Sequence, residues 1–306
     1  MNFADAKAQV QRLLSTVSPE DLPKLIDWMK NTDELEDYLV DNQRVILQSI
    51  SEDLRTRLPV DAMFSSETAA IHNTQQQQQQ QQRPTVHVDS FLYDEEQVDV
   101  LCEEGKLSRC FCLSCGSRST AALDFISHSF SIPELQFLFQ RVLPDLTGRL
   151  LLDVGSRLGA VLYAGYLYSS AAQLVGVEIT EDFVRLQKMA VEKYGFSDRI
   201  QVLHADVCSQ GALVQTADVL VMNNVFQFFM EPSDQIKAWQ FIVHHFRKRG
   251  SLLVTVPSLQ ESLSALQGKV VDTGQWVEEV PLDYDIYLGK NCDSGSLREI
   301  HLYRVL

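Results

Sequence analysis

Leu150-Leu151-Leu152-Asp153-Val154-Gly155-Ser156-Arg157-Leu158-Gly159-Ala160 decides the architecture of this chain. Apolar residues run into an aspartate, a glycine-containing bend and then a helix-compatible stretch from Val161 to Ser170. That pattern reads as a buried parallel strand ending in a ligand-binding loop. Gly155 and Gly159 permit close backbone approach, and Asp153 puts a carboxylate at the carboxyl end of the strand, where open α/β sheets bind ligands.

The continuation repeats the pattern. Gln173-Leu174-Val175-Gly176-Val177-Glu178 reads as a second strand ending in an acid. Lying roughly 20 residues beyond the loop, that acid is spaced to bond both hydroxyls of a ribose. A third strand, Ile200-Gln201-Val202-Leu203-His204, leads into Ala205-Asp206-Val207, with a carboxylate placed for an adenine edge. A fourth, Asp218-Val219-Leu220-Val221-Met222, delivers Asn223-Asn224 to the same edge of the sheet. The expected fold is α/β, with polar groups gathered around one nucleoside.

In the order of these motifs the chain resembles the class I S-adenosylmethionine-dependent methyltransferases over roughly residues 147–306. The resemblance implies a Rossmann-like, mostly parallel seven-stranded sheet with helices on both faces. It implies S-adenosyl-L-methionine as cofactor, with Asp153, Gly155, Ser156 and Gly159 at its methionine end. It further implies Glu178 on the ribose, Asp206 and Val207 at the adenine, and Asn223 and Asn224 lining the transfer site. The family loop usually reads D-x-G-x-G-x-G, and here Arg157 replaces the middle glycine. That side chain can turn outward, meet the cofactor's carboxylate, or fill the pocket. The last option keeps open an alternative reading, a catalytically silent scaffold whose helical amino-terminal segment does the binding. A nicotinamide dehydrogenase is set aside, because its G-x-G-x-x-G fingerprint is absent.

Met222-Asn223-Asn224-Val225-Phe226-Gln227-Phe228-Phe229 follows the fourth strand, where the family places its substrate-facing group. Methyltransferases of nucleobase and glutamine amino groups carry [DN]-P-P-[FYW] there, and the absence of a proline pair argues against that subclass. The stretch, with Asp153-Val154-Gly155-Ser156 and Gly176-Val177-Glu178, is similar to motifs of the non-SET histone-lysine methyltransferases. On that basis a protein amine is the favoured acceptor and a small molecule the alternative. Phe226, Phe228 and Phe229 would suit a cationic amine, though packing of the sheet against its helices is the more ordinary use of such residues.

Of 306 residues, 41 are acidic and 26 basic, a net charge of −15, and 45% are hydrophobic. That allows one sizeable domain plus an accessory one. Acids exceed bases in residues 1–64, 89–147 and 148–306 alike, so no segment offers the basic face that duplex nucleic acid requires. The start, Met1-Asn2-Phe3-Ala4-Asp5-Ala6-Lys7, lacks a cationic lead followed by an apolar core, and nothing reaches the length of a membrane span. The expectation is a cytoplasmic or nuclear chain with reduced cysteines.

Residues 1–64 read as a helical module. Ser18-Pro19-Glu20-Asp21 is a helix start with Pro19 at the first helical position, and Leu35, Leu39, Ile46, Ile50 and Leu54 form an apolar stripe. The module either supports itself as a bundle or docks a partner protein. Residues 65–88 contain eight consecutive glutamines, Gln75–Gln82, which have nothing apolar to bury and read as a flexible linker. Residues 89–147 are an extension of the core at residues 148–306, with helices expected over Tyr93–Leu101 and from Ser131 onward. The resemblance implies that this extension folds over the cofactor mouth, with Asp124, His128 and Ser129 in reach of it. For His128 a satisfied structural side chain is the first reading and a substrate contact the second.

Cys102, Cys110, Cys112 and Cys115 form C-x7-C-x-C-x2-C. Four thiolates would close a structural zinc site. With a single C-x-x-C pair, and Cys102 in a predicted helix, reduced thiols used as small apolar residues stand ahead of zinc.

Overall fold

A computed structural model of the chain describes residues 3–30, 32–64, 67–68, 85–113, 120–227, 229–264, 266, 273–285 and 294–306. The glutamine tract, Cys115, Phe228 and the segment 286–288, which the alternation of the sequence marks as a strand, lie outside these residues. Contacts divide the chain into two compact units, Met1–Ile46 and Leu47–Leu306.

The first unit holds α1 (Phe3–Thr16), α2 (Leu22–Lys30) and the start of α3 (Thr32–Arg55). Ser18 does initiate α2, but through a preceding turn. Its hydroxyl accepts the Asp21 amide at 3.2 Å and its carbonyl the Leu22 amide at 2.9 Å, so the first helical residue is Leu22 and not Pro19. The unit boundary falls inside α3. From Leu47 onward the helix belongs to the larger unit, where Leu47, Ile50 and Leu54 are fully buried. There Ser51 donates to the Leu92 carbonyl at 3.2 Å, and Asp53 accepts from the Tyr194 hydroxyl at 2.6 Å and from Lys193. Residues 47–64, assigned from sequence to the helical module, therefore pack in the larger unit.

The extension, expected from residue 89, begins earlier, inside the expected linker, with β1 (Thr85–His87), which pairs in parallel with β4 (Asp124–Ile126). Between them lie α4 (Glu95–Glu103) and the antiparallel pair of β2 (Cys110–Cys112) and β3 (Thr120–Ala122). Both expected helices are present. Asp94 and Gln97 form a reciprocal cap on α4, and Ser131 and Glu134 do the same for α5 (Ile132–Phe137).

The core alternates strand and helix: β5 (Leu150–Val154), α6 (Ala160–Tyr168), β6 (Gln173–Glu178), α7 (Glu181–Tyr194), β7 (Ile200–His204), α8 (Gly211–Thr216), β8 (Val219–Asn223), α9 (Pro232–His245), β9 (Leu252–Val256), α10 (Leu259–Ser264), β10 (Val277–Val280) and β11 (His301–Val305). Seven strands form one sheet in the order β10-β11-β9-β8-β5-β6-β7, with β5 to β9 parallel and β11 antiparallel to both neighbours. Both faces are covered, which is why β5 and β6 read as near-continuous apolar runs. Leu152, Val154, Val175, Val177, Leu220 and Met222 join Ala238, Trp239, Ile242 and Val243 of α9 in one core cluster. On the opposite face a side chain at Gly165 of α6 would strike the Leu174 side chain at 2.7 Å, so the packing of helix on strand leaves no room for one there. The order reverses at β5, between β6 and β8, and the carboxyl ends of the strands at such a switch point are where open α/β sheets place their ligand crevice. Among the described residues, no helix is long and apolar enough to cross a membrane.

Candidate functional site

Three segments converge on the crevice: the loop after β5, the acid ending β6, and the turn after β8. Gly155 adopts φ 67° and Gly159 φ 81°, conformations that glycine enters without strain. A Cβ on Gly155 would lie 3.2 Å from Val225, so the loop and the turn after β8 are in contact. The loop is bolted from beneath by Gln187 of α7, which is fully buried: its Oε1 accepts the Ser156 hydroxyl at 2.9 Å and its Nε2 donates to the Arg157 carbonyl at 2.7 Å. Ser156, expected at the cofactor, thus has its hydroxyl committed to α7. Gln187 itself went unread in the sequence. It was visible as a lone polar residue on the apolar face Phe183, Val184, Ala190, Val191.

Asp153 is 4% exposed and, among the described residues, accepts no hydrogen bond and makes no ion pair. Burial, with the neighbouring Glu178 carboxylate, raises its pKa well above the usual carboxylate range. Glu178 is buried but anchored: one oxygen accepts the Arg157 amide at 2.9 Å and the other the Thr180 amide at 2.8 Å. Ala205 donates to the Glu178 carbonyl at 3.0 Å, which brings Asp206 to the next position along the same edge. Asp206 is exposed and caps the turn Val207–Ser209 by accepting the Cys208 amide at 2.8 Å. The Val207 side chain, by contrast, packs in the core cluster. Ile179, the residue after Glu178, is 67% exposed, an apolar side chain held in water at the end of β6. Asn224, in the left-handed region at φ 51°, donates from Nδ2 to Asn223 Oδ1 at 3.2 Å. The sheet therefore gathers Asp153, Gly155, Gly159, Glu178, Asp206, Asn223 and Asn224 at one edge.

Arg157 turns away from Asp153 and into the extension. At φ 46°, its guanidinium is 7% exposed, pairing with Asp89 at 2.7 Å and Glu67 at 3.1 Å and donating to the Ala62 carbonyl at 2.6 Å. It also lies 4.9 Å from the centre of the Phe183 ring, which Phe64 meets edge-on at 4.7 Å. Desolvation raises the Glu67 pKa against the opposing pull of Arg157. Asp89 also accepts the Ser129 hydroxyl at 2.7 Å. The extension is thus tied to the loop after β5 by a cluster of charges that only the tertiary fold assembles.

Beside that cluster His87 Nδ1 and His128 Nε2 are 2.9 Å apart, and the His128 ring lies 5.0 Å from that of Phe229 in the turn after β8. Phe226 instead packs edge-on against Trp239 at 5.6 Å, in the core. The side chain of Asp124 lies outside the described residues. No group of three or more His, Cys, Asp or Glu side chains is disposed to hold a metal ion among the described residues. Cys102 sits on α4 while Cys110 and Cys112 are exposed on β2, and Cys115 is not described, so the zinc alternative gains no support.

Residues 152–254 match the sequence profile of a family described as methyltransferase domain. A release factor glutamine methyltransferase of Rhodopirellula baltica is 27% identical over 186 residues, 57% of this chain; the chain spans 61% of that protein's length. Solved structures with similar folds include an RNA methyltransferase from Salinibacter ruber in complex with S-adenosyl-L-homocysteine, at 19% identity, 58% and 92% coverage and TM-score 0.37. Another is an O-methyltransferase from Bacillus cereus, at 11% identity, 59% and 84% coverage and TM-score 0.42.

Proposed function

We propose that the methyltransferase domain at residues 152–254 makes this chain an S-adenosylmethionine-dependent methyltransferase. One observation carries the reading: Asp153, nearly buried and unbonded among the described residues, stands beside Glu178, whose carboxylate is fixed by two backbone amides. A protein rarely leaves a buried carboxylate without a partner unless a ligand supplies one. The cofactor's ammonium group suits Asp153, and its ribose hydroxyls suit the remaining lone pairs of Glu178. Its adenine suits the exposed Ile179 side chain and the Asp206 edge. When bound, the cofactor supplies a methyl group already activated on a sulfonium, so the protein's task is alignment and management of the acceptor's proton. Arg157 does not occupy this edge, because its guanidinium is spent on Asp89, Glu67 and Ala62.

The acceptor we favour is a protein amine. An acidic chain of net charge −15 suits a cationic partner, and the turn after β8 carries an aromatic ring, Phe229, beside His128. The glutamine acceptor of the Rhodopirellula relative is not carried across, because Asn223-Asn224-Val225-Phe226 lacks a proline pair. Calorimetric titration with S-adenosylhomocysteine tests the cofactor reading. Binding on the order of micromolar is expected, weakened at least about 100-fold by Glu178→Ala. Absence of binding would support the scaffold reading instead.

A further inference from the structure

We propose that His87 is the acceptor-side base of this site and that His128 is the residue that positions it. The inference rests on the transferase reading above and deepens it by defining the chemical class of the acceptor.

The pair is placed by two independent ties. On one side Asp89, two residues after His87, and Ser129, next to His128, join the buried Arg157 cluster on the loop after β5. On the other side His128 packs against Phe229 in the turn after β8. Loop and turn meet at Gly155 and Val225. The imidazoles therefore lie where the methionine end of the cofactor site adjoins the transfer site. No other described histidine shares that position: His204 bonds the Ile179 carbonyl, His245 that of Phe241, and His301 pairs with Glu279, while His244 stands on α9.

The pair is also built to accept a proton. Hydrogen bonding at 2.9 Å between His87 Nδ1 and His128 Nε2 leaves His87 Nε2 as the second ring nitrogen, an enclosed atom with no hydrogen-bond partner among the described residues. Leaving such an atom unbonded costs about 1–3 kcal/mol, a cost proteins tolerate chiefly where a ligand completes the bond. Burial holds both rings neutral. For His128, burial and then Arg157 and His87 push the pKa down to about 2. For His87, burial and Arg157 lower it against the opposing charge of Asp61. In the tautomer with the proton on Nδ1, His87 donates to His128 and offers a lone pair at Nε2.

The step balances as follows. The acceptor's nitrogen or oxygen lone pair forms a bond to the methyl carbon of a sulfonium donor, and the carbon–sulfur pair leaves on sulfur. The acceptor's N–H or O–H proton passes to His87 Nε2, giving an imidazolium that His128 stabilises through Nδ1–H. The acceptor class is thus a nucleophile that still carries a proton when it reacts, such as a neutral amine, imidazole or hydroxyl, and excludes thioethers and tertiary amines.

The test uses the full chain. Labelled S-adenosylmethionine is incubated with the protein and small-molecule fractions of a cell extract, S-adenosylhomocysteine affinity is measured by calorimetry, and the His87 imidazole is followed by 13C NMR. His87→Gln should bind S-adenosylhomocysteine within about threefold of the native chain while transfer falls at least about 100-fold. The acid limb of the native pH–rate profile should vanish with it, and added imidazole should partly restore transfer by His87→Gly. His128→Gln, which can still accept from Nδ1–H, should retain more transfer than His128→Ala. The His87 signal should shift when S-adenosylhomocysteine binds, a readout that needs neither a variant nor an acceptor. Native-rate transfer by His87→Gln, or a His87 signal indifferent to S-adenosylhomocysteine, overturns the assignment while leaving the transferase reading intact. A native chain that binds no S-adenosylhomocysteine overturns both.

Discussion

Arg157 holds a left-handed backbone conformation and two buried carboxylates at once. Replacing it with methionine keeps the bulk but strands Asp89 and Glu67 without their cation. The expected loss is about 3–5 kcal/mol in unfolding free energy, measured by urea denaturation. Arg157→Gly installs a residue that enters this conformation freely and relieves a backbone cost of about 1 kcal/mol, yet strands the same carboxylates, so it too should destabilise. Asp153 gives a second prediction. Its pKa is raised in the folded state, so the folded chain holds a proton that the unfolded chain has released above the ordinary carboxylate range. Stability of the ligand-free protein should therefore fall as pH rises from about 4 toward the raised value. Asp153→Asn should flatten that slope in thermal melts taken at successive pH values above the ordinary carboxylate range.

At the scale of elements, the tightest joint is where the loop after β5 crosses β6. A Cβ on Gly176 would meet the Ser156 hydroxyl at 2.6 Å and Leu162 Cδ1 at 2.7 Å, the first held by its bond to Gln187 and the second fully buried. Gly176→Ala should cost about 1–3 kcal/mol and displace the loop, read as weakened S-adenosylhomocysteine binding alongside a lower melting temperature. Gln187→Leu removes both bolts under the loop and leaves the Arg157 carbonyl unbonded in the interior. About 1–3 kcal/mol is expected, with cofactor affinity falling more than stability alone would require. Helix α5 depends on its reciprocal cap, and Ser131→Ala should cost about 1 kcal/mol in the same urea assay.

For the molecule as a whole, the unit boundary makes truncation decisive. Removing residues 1–46 should leave a chain that unfolds in a single transition, because the second unit begins at Leu47. Removing residues 1–64 deletes Leu47, Ile50, Leu54 and Ala62 from the interior, and buried Leu or Ile side chains are worth about 2–5 kcal/mol each. That shorter chain should be insoluble or lack a cooperative melt by differential scanning calorimetry. The opposite outcome would return residues 47–64 to an independent module.

Local pattern alone determined the sheet and the polar groups at its carboxyl edge. Apolar runs ending in Asp153, Glu178, Asp206 and Asn223 are periodic signals within single strands, and each strand lay where those runs predicted. The helix caps at Asp94 and Ser131 were legible for the same reason, since the residues involved are three positions apart. Tertiary structure alone decided the fate of Arg157 and the pairing of His87 with His128. Those contacts join positions 41 to 95 residues apart, across a glutamine tract and two small β-ladders, and no periodicity in the sequence encodes them. A lone charge or imidazole carries no partner in its own neighbourhood. Its role is fixed only when folding removes water from around it and leaves one group near enough to answer it.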